Sequence, residues 1–149
     1  MITFLPYVDF RLCAKVLDDR RLGMQRVEAH HILRAITGKG PARKHPAIEM
    51  WQPYPRALLE YAYLIVFEWQ RRGFEDNTLS NLNGDFMALN CQTVVRPSWL
   101  GAGRLHSSHR AALLAKDPQH YGKFGWKVQP AINYYWPTRN DEQTVEDPL

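Results

Sequence analysis

Apolar positions recur at a helical spacing between residues 18 and 37. They are Leu22, Ala29, Leu33 and Ile36, at i, i+7, i+11 and i+14, so they share one face. Two aspartates at the start of this stretch suit the positive end of a helix dipole. Glycines at positions 38 and 40 are typical of a helix end. The pattern therefore predicts an amphipathic helix over about 18–37.

A second, more apolar pattern covers residues 55–72, PRALLEYAYLIVFEWQRR, and ends before Gly73. Its proline suits the first helical turn, and the glycine suits the position after the last turn. The stretch is apolar around much of its circumference, which predicts the central buried helix. Its expected core face, which includes a tryptophan interpreted as core, is Leu58, Ala62, Ile65 and Trp69.

The remaining pattern is weaker. A third helix is expected over 107–116 with a serine cap, and a short helical turn over 47–51. Residues 1–15 are interpreted as an ordered arm and 74–104 as irregular, and no repeat or strand-like alternation occurs. We expect an all-α fold: one compact domain over 1–138, with about three main helices and long irregular loops. An acidic, frayed tail over 139–149 should follow.

Composition excludes several classes of protein. The longest apolar run carries Glu60 and Glu68, which a membrane-spanning helix would not tolerate. The N-terminus lacks the basic lead and apolar block of a signal peptide. Cys13 and Cys91 show no metal-type spacing and are interpreted as buried thiols in a reducing compartment. Neither a phosphate-binding glycine loop nor a serine nucleophile elbow is present.

Charge is unevenly distributed around one carboxylate. The chain has a formal net charge of +4 although its last eleven residues are acidic. Between positions 20 and 44 there are seven basic residues and a single acid, Glu28. A basic body suggests a polyanionic partner, most commonly nucleic acid, although a basic protein without such a partner is equally compatible with charge alone. Helical spacing places Glu28 beside Gln25 and His31, where by default it would be a solvated ion pair.

Three segments occur in a characteristic order: LGMQRVEAHHI around Glu28, EWQRRGF at 68–74 and PQHYGKFGW at 118–126. Together they resemble the pyrimidine-dimer DNA glycosylase family, the phage endonuclease V-like repair enzymes. The resemblance implies a compact three-helix domain and a glycosylase with abasic-site lyase activity that needs no metal or other cofactor. It also implies a monomer that works on double-stranded DNA containing a damaged or modified base, without a membrane. The protein would be located in the cytoplasm, or in the cytoplasm of a host cell if the source is viral.

The resemblance also implies site residues. The family attacks the damaged nucleotide with the amine of its first residue, and a glutamate early in the first long helix assists. Glu28 matches that glutamate. Ile2 is too bulky for the usual removal of methionine, so the amine is expected to be that of Met1. The predicted DNA-binding residues are Arg20, Arg21, Gln25, Arg26, His31, His109, Arg110, Tyr121 and Lys123.

The expected chemistry is consistent with general principles. An α-amine is less basic than a lysine, so more of it is neutral and nucleophilic near pH 7. Its attack on the sugar gives an imine, and β-elimination then breaks the strand. A carboxylate beside the cationic imine stabilises it and moves protons, while arginines hold the phosphates.

Two functional alternatives stay open at this point. One is a DNA-binding module without catalysis, which would not need Glu28 or a free amine. The other is a glycosylase for another modified base, or a lyase for abasic sites alone.

Several residues have a structural interpretation as well. His30 and Trp51 are expected on the helix surface and in the core, respectively. The pair His106 and His109, spaced i, i+3, is a weak metal signal and is interpreted as capping and substrate contact. Arg71 and Arg72 are interpreted as partners of a helix dipole. Residues 134–136 could equally stack on bases or form an aromatic plug over the core.

Overall fold

In a computed structural model, residues 1–41, 43–89 and 93–137 are described. They form seven α-helices and one short 3₁₀ turn, and these ranges contain no β-strand. The all-α prediction is therefore confirmed. Cys91 and the acidic tail lie outside the described residues. The elements are α1 (Phe10–Val16), α2 (Asp19–Ile36), α3 (Pro46–Trp51), α4 (Pro55–Arg71), α5 (Leu79–Leu89), α6 (Gly103–Lys116), α7 (Pro118–Tyr121) and the 3₁₀ turn Gly122–Phe124.

The chain divides into two compact units. Unit 1 contains Met1–Thr3 and Leu17–Pro97, and unit 2 contains Phe4–Val16 and the chain from Ser98 onward. Unit 1 holds α2 to α5, and unit 2 holds α1, α6 and α7. The single domain expected over 1–138 stays a prediction. No helix of the described ranges is long and apolar enough to cross a membrane.

Unit 1 is built on the pairing of α2 with α4, whose bounds agree with the two strongest sequence patterns. The Asp18 side chain caps α2 by accepting a hydrogen bond from the Arg21 backbone N–H. Gly38 and Gly73, which follow the two helices, have φ values of 76° and 93°, where a side chain would be strained. The expected core faces are buried except for two residues, Ile36 and Trp69, which are half-buried.

The arginines at the end of α4 do more than face a helix dipole. Arg71 and Arg72 both bond the buried carboxylate of Glu68, at 2.6 and 3.0 Å from Oε1. The hydrogen bond from Arg71 is the main reason that the pKa of Glu68 lies below its usual value. Arg72 also reaches Asp19 at 2.9 Å, which ties the end of α4 to the start of α2.

The prediction that 74–104 is irregular was wrong, because α5 lies within it. Asn and Gly residues lower the helix propensity of this stretch. The Asp76 carboxylate offsets that cost by accepting the backbone N–H groups of Thr78 and Leu79 at 3.0 and 2.8 Å. Leu82 and Leu89 are buried on the helix, which packs on α4. A local cap by Asp76 and packing on α4 therefore stabilise this helix.

The structure of unit 2 corrects the predicted start of the third helix. Helix α6 begins at Gly103, four residues before the expected serine cap, and Ala102 precedes it without a side-chain cap. Its buried residues include two histidines, His106 and His109, and Arg110. The predicted stop is confirmed, since α6 ends at Lys116 and Pro118 opens α7.

Candidate active site

The amine of Met1 lies beside the carboxylate of Glu28, a residue in the middle of α2. The distance from the amine nitrogen to Glu28 Oε1 is 3.9 Å. The Met1 side chain is 14% exposed and that of Glu28 is 25% exposed. The whole of Met1 is 37% exposed, so its solvent contact falls largely on the main chain that carries the amine. The two groups predicted to be catalytic are thus neighbours at a partly open surface of unit 1.

Hydrogen bonds hold Ile2 and Thr3, the two residues that follow the amine. Gln25 donates from Nε2 to the Ile2 carbonyl at 2.9 Å, and its Oε1 accepts from the Tyr61 hydroxyl at 2.9 Å. Thr3 Oγ1 accepts from the Trp51 indole at 2.9 Å. Because such buried polar groups are costly to leave unpaired, these bonds define where the amine sits.

Gln25 was expected to contact DNA. It is buried and its amide bonds both the chain start and Tyr61. Its position therefore suits holding the N-terminal residues rather than touching DNA. Its spacing of one helical turn before Glu28 was visible in the sequence, but its partner at residue 2 was not.

A cavity of about 310 Å³ opens beside Met1. Its lining is mixed: His30, His31, Arg34 and Arg43 are titratable or cationic, and the other lining residues are Met1, Ala35, Gly40, Pro41 and Ile48. His31, Arg34 and Arg43 are exposed. The cavity therefore places Met1 beside arginine side chains that attract phosphate.

His30 was expected on the helix surface, and that expectation was wrong. Its side chain is only 13% exposed and lines the cavity. Burial lowers the pKa of His30 below its ordinary value, against a smaller raising effect of the Asp85 carboxylate. The sequence placed the residue beside His31 without indicating which of the two faces inward.

Asp85 on α5 is the charged neighbour of His30. Its Oδ2 lies 3.8 Å from His30 Nε2, and its Oδ1 accepts from Lys39 Nζ at 2.9 Å. The Asp85 side chain is buried, whereas that of Lys39 is 47% exposed. Sequence reasoning missed this carboxylate because it treated the surrounding segment as a loop.

The predicted arginines of α2 differ in their surroundings. Arg20 is exposed. Arg21 bonds the Asp18 carboxylate at 3.2 Å. Arg26 bonds Asp76 at 2.6 Å, and its guanidinium lies 4.6 Å from the centre of the Trp69 ring. Arg26 is therefore part of the anchor of α5, while Arg20 is available to a phosphate.

Three of the four predicted DNA contacts in unit 2 are buried. His109 accepts from the Leu5 N–H at 2.8 Å, and Arg110 donates to the Pro6 carbonyl at 2.7 Å. Tyr121 is fully buried and stacks on Trp126 with ring centres 5.7 Å apart. Lys123 alone of the four is exposed.

The two histidines of α6, His106 and His109, bind backbone groups of unit 2. His106 bonds the Leu5 carbonyl at 2.8 Å and accepts from the Gly101 N–H at 3.0 Å. With His109 on the Leu5 N–H, the two rings hold one residue from both sides, so the proposed substrate contact is not supported by their positions. Among the described residues, no three His, Cys, Asp or Glu side chains are grouped to hold a metal ion.

Comparison with known proteins decides the family. The sequence model described as pyrimidine dimer DNA glycosylase matches residues 1–82. The chain belongs to this family. The resemblance seen in the sequence is thereby confirmed, and the family is one of enzymes that act on DNA. The match covers Met1, Gln25, Glu28 and His31, and it ends before His109. Searches of curated proteins and of solved structures found no match.

Proposed function

We propose that this chain excises pyrimidine dimers, or related damaged bases, and then cleaves the resulting abasic site as a lyase. The Met1 amine is the nucleophile and Glu28 the assisting carboxylate. The observation that carries this proposal is the 3.9 Å separation of the two groups. A carboxylate at this distance is placed to stabilise a cation that forms on the amine.

The proposed reaction begins with the neutral amine. Its lone pair bonds C1′ of the damaged nucleotide, and the glycosidic bond breaks with its electron pair leaving on the base. The nitrogen loses a proton and its lone pair forms a C1′–N double bond as the C1′–O4′ bond breaks and O4′ takes up a proton. The product is an open-chain iminium, which the Glu28 carboxylate stabilises. Loss of a C2′ proton and departure of the 3′ phosphate complete β-elimination. The free protein leaves the two groups beyond hydrogen-bond distance, and such contacts commonly tighten only when substrate is bound.

Binding of DNA would use the cationic edge of the cavity. Arg34 and Arg43 are exposed there beside His31, and Arg20 is exposed earlier on α2. Arginine side chains of this kind position the duplex through its phosphates. Opening the duplex to reach the sugar costs a few kcal/mol, and a lesion that already weakens stacking lowers that cost.

The test is borohydride trapping on two duplexes, one with a thymine dimer and one with an abasic site. Intact-protein mass spectrometry then locates the adduct. Trapping on both, with the adduct on Met1, is the expected result. Trapping on the abasic duplex alone would direct the search to other damaged bases. No adduct on either would overturn the imine mechanism and favour a DNA-binding module without catalysis.

The Glu28→Gln variant tests whether cleavage needs the carboxylate of Glu28, without disturbing the fold. The substitution keeps the size of the side chain and removes its charge. We expect strand cleavage to fall by about 100-fold or more, with DNA affinity little changed. Unchanged cleavage would show that Glu28 is a solvated surface charge.

A further inference from the structure

His30 shares the cavity with Met1 but points toward a second carboxylate. It lies two residues after Glu28 on α2, and its Nε2 is 3.8 Å from Asp85 Oδ2. Asp85 is buried, and no hydrogen bond from the described residues reaches its Oδ2. An uncompensated buried carboxylate oxygen is costly. Here it faces an imidazole that can turn toward it.

Lys39 completes this cluster. It takes the other oxygen, Oδ1, at 2.9 Å and leaves Oδ2 for the imidazole. A carboxylate beside one ring nitrogen orients a histidine and stabilises its protonated form, while the other nitrogen faces the reaction. Three side chains from two parts of unit 1 thus converge behind the cavity wall.

The charges around His30 keep it ready to accept a proton. Burial lowers its pKa, and Arg34, His31 and Lys39 lower it further, while Asp85 raises it. The ring is therefore neutral near pH 7. A neutral imidazole has a free ring nitrogen that can accept a proton.

We propose that His30 is the base of the β-elimination step, and that Asp85 is the residue that positions it. This inference rests on the proposed imine at Met1, because a sugar bonded to that amine would share the cavity with His30. The imidazole removes a C2′ proton, and the C2′–H electron pair forms the C1′–C2′ double bond as the iminium nitrogen regains its pair. The nitrogen pair then re-forms the C1′–N double bond, and the C1′–C2′ π pair moves to form a C2′–C3′ double bond. The C3′–O3′ bond breaks at the same time, and the 3′ phosphate leaves with its electron pair. The proton on His30 then passes to solvent.

Two assays on the abasic duplex separate this inference from the proposed function. Borohydride trapping measures formation of the imine, and strand scission without borohydride in a single turnover measures elimination. Absence of trapping by the wild-type protein would overturn the proposed function itself. With wild-type trapping established, His30→Asn should trap at a rate within about twofold of wild type and cleave about 100-fold more slowly. Equal losses in both assays, or no loss of scission, would overturn the role of His30.

The pH profile of scission tests the positioning role. Removing the Asp85 charge lowers the pKa of His30, so Asp85→Asn should move the acid limb of the profile to lower pH. Lys39 acts with the opposite sign, so Lys39→Met should move the acid limb upward. Lys39 is partly exposed, so its variant remains informative if Asp85→Asn is poorly folded. If the acid limbs of the two variants do not move in opposite directions, the positioning role of Asp85 is overturned.

Deuterium at C2′ tests whether the C2′–H bond breaks during scission. A duplex carrying deuterium at C2′ should be cleaved more slowly than the protium duplex by the wild-type protein. Trapping should show no such effect, because the C2′–H bond is intact in the imine. Scission that lacks an isotope effect even when His30→Asn has slowed it would contradict proton removal by this residue.

Discussion

Gly23 of α2 lies directly against the indole of Trp69 of α4. A Cβ atom placed on residue 23 would come within 2.9 Å of Cη2 and Cζ3 of that ring. A glycine inside a helix costs about 1 kcal/mol relative to alanine. It is explained here by the close approach of the paired helices of unit 1.

Gly23→Ala should therefore destabilise the protein. The methyl group pushes on a large ring at a cost of about 1–3 kcal/mol, and the gain in helix propensity offsets about 1 kcal/mol of it. We therefore expect a net decrease of about 1 kcal/mol in the free energy of unfolding. Denaturant unfolding of both proteins measures the difference. A variant as stable as wild type would show that the two helices separate easily at this point.

Gly84→Ala is the matched control for that substitution. Gly84 is a glycine within α5, and a Cβ there would meet nothing within 4 Å. The same chemical change should raise the free energy of unfolding by about 0.5–1 kcal/mol through helix propensity. Opposite signs for the two variants would isolate the effect of Trp69.

Gln25→Leu tests how the amine is held. Leucine cannot bond the Ile2 carbonyl or the Tyr61 hydroxyl, so about 1–3 kcal/mol of stability should be lost. Borohydride trapping should slow by about tenfold because the amine is no longer fixed, while DNA affinity stays close to wild type. Tyr61→Phe keeps the bond to Ile2 and should trap nearly normally. A Gln25→Leu protein that traps at the wild-type rate would remove this residue from the positioning of Met1.

His109 should make the fold sensitive to acid. Burial lowers its pKa to about 3, whereas an unfolded histidine has a pKa near 6.5. The unfolded chain therefore binds a proton that the native chain does not, so stability is complete above pH 6.5 and is lost as pH falls toward 3. Urea midpoints between pH 7 and 5 measure this effect, with a slope of up to about 1.4 kcal/mol per pH unit.

His109→Gln provides the comparison for that slope. Glutamine cannot take up the proton, so its stability should depend less on pH in the same window, even if it is less stable throughout. His30 also has a lowered pKa and contributes to the slope in both proteins. Identical slopes for the two proteins would contradict a native His109 that stays neutral.

Removal of the Arg20 side chain should affect DNA binding, whereas removal of the Arg110 side chain should affect stability. Arg20→Ala should reduce DNA affinity and lower the salt dependence of binding by about one unit of slope, with no change in the melting temperature. Arg110 is buried on the Pro6 carbonyl, so Arg110→Ala should lower the melting temperature. A well-folded Arg110→Ala protein with a selective loss of DNA binding would contradict this division.

The sequence was sufficient for the two long helices of unit 1. Apolar spacing reports which face of a helix is buried, and both α2 and α4 follow it closely. The family resemblance supplied the partner of Glu28, the amine of Met1, which no local pattern could indicate.

Other features depend on pairs far apart in the chain. Asp76 caps α5 and also binds Arg26, fifty residues earlier. His109 and Arg110 look like surface cations in the sequence but serve backbone groups more than a hundred residues away. Spacing within a helix carries no information about such partners. The same reason explains why Asp85 was missed beside His30.

Helix α5 buries only Leu82, Asp85 and Leu89, so few contacts oppose its transient local unfolding. Such an opening would take the carboxylate away from His30 and Lys39 while α2 and α4 stay paired. The rate of repair would then depend on the local unfolding of α5, a short helix that carries neither the amine nor Glu28. Amide hydrogen exchange along α5 would therefore report a kinetic property of an active site one helix away.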